Sequence, residues 1–265
     1  MITLSSLIYY PIKACRGHEV ESWNVERMGL EHDRRMMVVT PEGGFLTQRE
    51  YAKLALVTPA LNDDALTLSA SNFDSMQVAI RRSGTAVPVN IWKSKAVQAV
   101  DQGEEAAGWF SDWLGAPVRL VRIADGYKRL VSREYAVSED DHTGFADGYP
   151  ILVTSEESLQ DLNSRIESPI PMNRFRPNIV VKGCDPFAED TWNQIRIGDV
   201  MIAIVKPCAR CEVTTIDKET LERSKEPLKT LGKYRKQKLG AIFGQNAIPL
   251  NEGRMKLGMT VEILS

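Results

Sequence analysis

The sequence predicts a mainly β protein with a few helices (α+β), whose last hundred residues curl into a barrel. Three observations predict it. Short runs of β-branched or alternating residues are separated by Gly and Pro turn signals. Only two stretches carry a helical apolar period. Two strings, IRIGDVMI at 195–202 and MKLGMTVEI at 255–263, share a strand-Gly-strand pattern in which a sheet curves at the glycine. At 265 residues, 43% apolar and 26% charged, the chain suits one large or two modest domains, and this composition excludes disordered, collagenous and coiled-coil classes.

In order along the chain, strands are expected at 2–9, 35–40, 54–61, 65–69, 76–81 and 87–92, with TPEGG at 40–44 as a hairpin turn. A helix over 103–114 puts Ala106, Trp109, Phe110 and Trp113 on one face, opens with Glu104 and Glu105, and stops at Gly115 and Pro117. That aromatic stripe reads as packing against a sheet. A strand at 118–123 follows, and the chain is divided into 1–118 and 119–265. Just beyond the division, the polar stretch 125–149, with SEDD at 138–141, is long for a structureless connection and marks a functional loop or junction. After the strand YPILVT, Thr154 and Glu157 form a capping-box pattern ahead of an amphipathic helix carrying Leu159, Leu162 and Ile166, which Pro169 and Pro171 end. NIVVKG, IRIGDVMIAIV and MKLGMTVEIL complete the strands.

With 33 Lys+Arg against 35 Asp+Glu, the formal net charge of -2 argues against general affinity for nucleic acid or an anionic membrane. Any anion site must be built locally. The opening MITLSSLIYYPI lacks a basic n-region and a cleavage pattern, and no segment approaches the roughly 20 apolar residues of a membrane span. A cytoplasmic location with no membrane partner is the expectation. Four cysteines, Cys15, Cys184, Cys208 and Cys211, are too few for a disulfide scaffold, and three histidines leave little for a His-rich metal centre.

The chemistry concentrates in KPCARCEVTTID at 206–217. Pro207 is expected to halt the preceding strand, so that both thiols and Arg210 fall in a turn, with Lys206 and Arg210 favouring the thiolate. A structural zinc wants four ligands, and no second CxxC or His pair stands at the usual spacing. A thioredoxin-like dithiol wants a helix after the motif, and EVTTI reads as a strand. Two buried apolar thiols leave the neighbouring Lys, Pro and Arg unexplained.

PCARCEVTTID, with KEPLKTL and FGQN downstream and NRFRPNIVV and AEDTWNQIRIGDV upstream, resembles the MOSC-domain family of molybdenum cofactor sulfurases and amidoxime-reducing molybdenum proteins. YPIKACRG at 10–17, GLEHDRRMMVV at 29–39 and VNIWKSKAVQAVDQG at 89–103 are similar to the N-terminal β-barrel module that accompanies MOSC in the mitochondrial amidoxime-reducing component and bacterial YcbX-type proteins. The resemblance covers nearly the whole chain. It implies an N-terminal β-barrel-like module, a C-terminal MOSC β-barrel and molybdenum cofactor (Mo-molybdopterin), a pyranopterin with a dithiolene-held metal and a phosphate of about two negative charges.

It further implies that Cys211 ligates the metal, and that Lys13, Arg34, Arg176 and Asn178 contact the phosphate and pterin. Asp147 accepts from pterin N–H groups, and Arg210 shields the metal's oxo groups. The expected reaction is reduction of N-hydroxylated compounds such as hydroxylamines and amidoximes. Because the sequence holds no iron-sulfur motif, electrons are expected from a separate flavin- or iron-sulfur-containing reductase, unless the sequence stops short of a C-terminal ferredoxin domain of the kind many bacterial relatives carry. The alternative is a sulfur carrier or cofactor carrier with a persulfide on Cys208 or Cys211. Ala14 stands where the family often has serine, which leaves only a backbone N–H at that contact. Trp192, Cys184 and Cys208 read as structural, Arg49 lacks the context to choose, and Gln245 and Asn246 are candidates for the site wall.

Overall fold

The computed structural model describes residues 1–62 and 64–265. The larger sheet has nine strands. Eight follow one another as His18–Glu19, Thr3–Tyr9, Ile179–Lys182, Ile151–Ser155, Gly240–Pro249, Val200–Ala209, Gln194–Ile197 and Val261–Ile263, and Lys236–Gln237 pairs with Gly240–Pro249. Thr3–Tyr9 also meets the far end of the order: Leu4 N–H donates to Met259 O (2.9 Å), Gly258 N–H to Leu4 O (2.8 Å) and Val261 N–H to Ile2 O (2.9 Å). The sheet therefore closes into a barrel, with Thr3–Tyr9 as one stave. Alternation puts one side of each strand inside. Ile195 and Ile197 are buried on either side of exposed Arg196, and with Leu4, Leu7, Ile179, Val181, Val200 and Ile202 they fill the core, which Trp192 joins as expected.

The glycine strings mark corners between strands, where curvature within a strand was expected. Gly198 (φ +58°) turns the hairpin between Gln194–Ile197 and Val200–Ala209. Gly258 (φ +81°) lies where the chain leaves Gly253–Lys256, paired with Ser22–Glu26, and enters Val261–Ile263.

Ile151–Ser155 and Ile179–Lys182 run parallel, which requires a crossover, and helix α2, Glu156–Asn163, supplies it. The expected Thr154 capping box is not formed. Ser155 is the cap and accepts from Ser158 N–H (3.1 Å), while Glu157 reaches out to Gly183 N–H (2.7 Å). Thr154 lies inside the strand with its side chain fully buried, so the cap falls one residue later.

Ser155 Oγ and Ser158 Oγ also donate to the buried carboxyl of Glu189 (3.0 and 2.8 Å). Burial raises the Glu189 carboxyl above its ordinary value, so the folded protein holds a proton that the unfolded chain has released. Stability from this group is present below the ordinary glutamate pKa and is lost as pH rises toward the raised one. Glu189→Gln is expected to gain stability relative to the parent as pH rises from about 4.3, read as paired urea midpoints at several pH values. A gap between the two proteins that does not change with pH overturns this.

In the N-terminal half, Met36–Val39, Arg119–Ile123, Ser94–Asp101 and Ala86–Ile91 form a four-stranded antiparallel sheet, and Thr58–Asn62, Ala65–Ala70 and Phe73–Ala79 form a meander. Helix α1, Glu104–Leu114, packs on Arg119–Ile123 and on Phe73–Ala79 and buries Ala106, Trp109 and Phe110, so the aromatic stripe is core. The strand expected over 54–61 is a 3-10 turn, Ala52–Leu56, followed by Thr58–Asn62. AKLAL holds no β-branched residue, and the turn suffices to bury Leu54 and Ala55. The division at 118/119 is crossed by Thr3–Tyr9 and Ser22–Glu26, which pair with strands from the second half. Among the described residues no helix is long and apolar enough to cross a membrane.

Candidate functional site

A cavity of about 920 Å³, counting its open mouth, lies between the two halves. The first half contributes Lys13, Ala14, Arg34, Gln48, Arg49 and Trp92, and the second contributes Asp147, Arg174, Arg176, Asn178, Cys208, Arg210, Cys211 and Asn246. Every site residue expected from the resemblance is thus on one wall or another. Six cations face the cavity (Lys13, Arg34, Arg49, Arg174, Arg176 and Arg210) against one carboxylate, Asp147. In a chain of net charge -2, this is a local concentration of positive charge.

Tyr10 sets two of the cations. Its buried ring lies under the Arg34 guanidinium at 4.1 Å and the Arg176 guanidinium at 4.2 Å, and its hydroxyl donates to Pro177 O (3.1 Å). Arg34 Nη1 donates to both oxygens of Asp33 (2.9 and 2.7 Å) and to Asn178 Oδ1 (3.0 Å), and Nη2 donates to Arg176 O (3.1 Å). Arg176 Nη1 donates to Cys15 O (2.7 Å), while its Nη2 is buried without a partner. It makes no contact with the acids at 185–190, since Asp190 takes Arg235 and Gln245 instead.

Asn178 is 1% exposed and fully used. It donates to Ile8 O (3.1 Å) and Asp33 Oδ1 (3.0 Å) and accepts from Arg34 Nη1 (3.0 Å) and Leu152 N–H (3.2 Å). It therefore holds Arg34 in place more than it offers bonds to a ligand. Ala14 (φ +70°), Arg34 (+46°), Trp92 (+50°) and Arg176 (+57°) are four of the nine non-glycine residues with positive φ among those described. Left-handed backbone costs these residues about 1–3 kcal/mol each, and strain concentrated at one cavity is a mark of function.

Asp147 arrives on the loop 125–149. Buried Arg129 donates to Gly144 O (2.7 Å) and Ala146 O and so holds the backbone just before it. Asp141 of the SEDD cluster is structural: it is 4% exposed and accepts from Val137 N–H (2.8 Å) and Ser138 N–H (2.7 Å). Gly144 allows this loop to lie on Arg34, since a Cβ there would stand 2.6 Å from Arg34 O. Asp147 accepts from Lys13 Nζ and from Trp92 Nε1 (3.0 Å). Its side chain is 69% open to the cavity yet surrounded by the walls. That enclosure works to raise its carboxyl, but the Lys13 ammonium and the Trp92 N–H outweigh it and hold Asp147 well below the usual carboxylate range.

The cysteine motif departs from expectation at three points. Val200–Ala209 runs on through Pro207 and Cys208, because register shifts between Ile204 and Lys206 and between Pro207 and Ala209 absorb the missing N–H. EVTTI is no strand: Cys211 caps a 3-10 turn, Glu212–Thr215, in which Thr214 Oγ1 donates to Cys211 O (2.9 Å) and Thr215 Oγ1 to Glu212 O (2.7 Å). Lys206 leaves the thiols and lies over Tyr135 at 4.2 Å. Arg210 remains with them, donating to Cys208 Sγ (2.9 Å) and Phe175 O (2.6 Å).

Burial pushes the Cys15 thiol up to about 12 and the Cys184 thiol to about 11, so both stay protonated and lie outside the cavity wall. Cys208 and Cys211 are left as the thiols that face the cavity. Among the described residues no group of three or more His, Cys, Asp or Glu is placed to hold a metal by side chains alone.

Sequence reasoning missed Asp33, Arg174, Gln48, Trp92 and Lys218. Arg174 pairs with Asp217 (2.8 Å). Lys218, 6% exposed, donates to Gln48 Oε1 and Val213 O (both 2.8 Å) and ties the Cys211 turn to the first half. Burial first, then Arg176 and Arg174, lower its ammonium to about 7. DKET at 217–220 carries no signal for this, whereas the acid beside Arg34 in HDRR was visible. Asn246 lines the cavity and Gln245 does not.

The chain matches the model of the MOSC N-terminal beta barrel domain over residues 1–117 and that of the MOSC domain over residues 140–262. It is 37% identical to mitochondrial amidoxime-reducing component 1 of Mus musculus, over 99% of this chain and 82% of that protein. The Homo sapiens counterpart is 36% identical, over 99% and 83%. Mitochondrial amidoxime reducing component 2 of Bos taurus is 36% identical, over 88% and 72%.

Proposed function

The chain belongs to the MOSC-domain family that includes the mitochondrial amidoxime-reducing components, and from that membership and the cavity we propose that it binds molybdenum cofactor and reduces N-hydroxylated compounds. The observation that carries this reading is the donor set: six cations and two thiols converge on one cavity with a single carboxylate. Cations suit the cofactor's phosphate, and a thiol suits a soft metal. The orphaned Nη2 of Arg176 fits the same ligand chemistry.

Cys211 is the residue to hold the metal. Arg176, Arg34 and Lys13 are those to hold the phosphate and pterin, with Asn178 and Asp33 fixing Arg34. Molybdenum cofactor, when bound, supplies the two-electron chemistry and the open coordination position. The reaction breaks the N–O bond, consumes two electrons and two protons, and releases the amine or amidine and water. Asp147, ionised throughout the neutral range, accepts hydrogen bonds from N–H groups on the pterin or substrate. Arg210 places positive charge beside the thiols, and Trp92, with Phe45 at 4.8 Å and Arg49 at 5.0 Å, walls the mouth against water.

Metal and pterin analysis of protein made in a host that synthesises the cofactor tests the reading, with benzamidoxime turnover driven by dithionite as the companion assay. Near-stoichiometric molybdenum and pterin with amidine formation are expected. Protein that carries neither refutes it.

A further inference from the structure

Residues 223–238 carry seven basic side chains against one acid, Glu226, so the other 249 residues hold 26 basic against 34 acidic. Glu226 does not offset them freely, because its carboxylate accepts Thr230 N–H (3.1 Å). Lys225, Lys229, Lys233, Lys236 and Lys238 are exposed, and among the described residues none forms an ion pair.

This basic strip wraps the outside of the Cys211 turn. At its start Arg223 Nη2 donates to Arg49 O (2.5 Å), on the cavity mouth, and Ser224 N–H donates to Thr215 O (3.1 Å), in the turn that Cys211 caps. Helix α3, Leu228–Tyr234, packs on the same turn. At its end the hairpin of Lys236–Gln237 and Gly240–Pro249 accepts Arg210 N–H at Ala241 O (2.8 Å). Leu239, 43% exposed, stands at the hairpin tip. One face thus combines unpaired positive charge, an exposed apolar tip and direct backbone contact with both ends of the thiol segment.

We propose that this face docks an acidic electron-donor protein and that electrons enter the site across it. The proposal rests on the reading of the cavity as a reductase fed from outside, because the donor must bring two electrons per N–O bond. A strip of like charge in an otherwise acidic chain orients an approaching acidic partner and raises its encounter rate. An anionic lipid surface would satisfy the charge, but it has no need of the thiol turn beneath. That placement favours the redox protein.

Chemically reduced flavodoxin, a small acidic flavoprotein, serves as the probe for cofactor-loaded protein, and K229E/K233E/K236E is compared with the parent and with K182E, a charge reversal on the exposed face of Ile179–Lys182. The triple variant is expected to lose at least about tenfold in the second-order rate with flavodoxin at low ionic strength. The gap should close near 1 M salt, where screening acts within about 3 Å. K182E should match the parent, and dithionite-driven turnover should be equal in all three. If the reversal unfolds the hairpin, K229Q/K233Q replaces it.

Calorimetric titration with flavodoxin reads docking without turnover. A parent that binds flavodoxin but does not reduce benzamidoxime with dithionite sinks the reductase reading and leaves the face standing. Equal flavodoxin rates and affinities in parent and variant overturn the docking proposal. So does binding to phosphatidylserine vesicles that the triple variant loses while flavodoxin affinity is unchanged.

Discussion

With Cys211 as the proposed metal ligand, Cys211→Ser is expected to lower bound molybdenum and dithionite-driven benzamidoxime reduction by more than about 100-fold, since loss of a supporting contact alone costs about 10–100-fold. Cys208→Ser is expected to keep most of both. The two thiols share a wall, but they sit in different backbone. Cys208 lies within the bulged strand and accepts from Arg210, whereas Cys211 caps the turn that follows and keeps its position through Thr214. A serine at 208 preserves the Arg210 bond. Metal and activity measured on the same preparations decide the matter: a Cys211→Ser protein with full molybdenum removes the ligand assignment. Persulfide on metal-free, active protein favours the sulfur-carrier alternative.

Asp33→Ala is expected to destabilise the protein by about 3–5 kcal/mol and to empty the site of cofactor. Asp33 is 2% exposed and accepts from Tyr10 N–H (2.8 Å), Arg34 Nη1 and Asn178 Nδ2. Removing the carboxylate leaves a buried guanidinium uncompensated and strands two further donors, which costs more than the bonds themselves contribute. Asp33→Asn retains the shape and one acceptor and should fall between. Urea unfolding reads the stability, and pterin fluorescence after denaturation reads retention. A loss below 1 kcal/mol with full retention contradicts the role given to this network.

Much of the fold was legible where periodicity is local. The α1 stripe and the Ile195–Ile197 alternation each announce a buried face within a few residues. Errors came where tertiary context chose between local options. Pro207 can end a strand or occupy a bulge, and only pairing with Gly240–Pro249 selects the bulge. The threonines after Cys211 favour strands in general, yet their hydroxyls here close a tight turn. For the site, the charged residues were visible through resemblance, but the burial that makes Asp33, Asn178 and Lys218 supports was not, because no short motif encodes which side chain lies behind another.

The seam that closes the barrel bears on how the protein is made. Leu4 leaves the ribosome 255 residues ahead of its partner, Met259. Closing so long a loop is entropically costly and slow relative to local pairing. The strand Thr3–Tyr9, which leads to Tyr10 and Lys13, therefore has only the short His18–Glu19 strand beside it until Ile179–Lys182 is synthesised, and the ring closes later still. The cavity, whose walls run from Lys13 to Asn246, is thus completed only after both halves have been synthesised, and it forms as a strained, positively charged hollow.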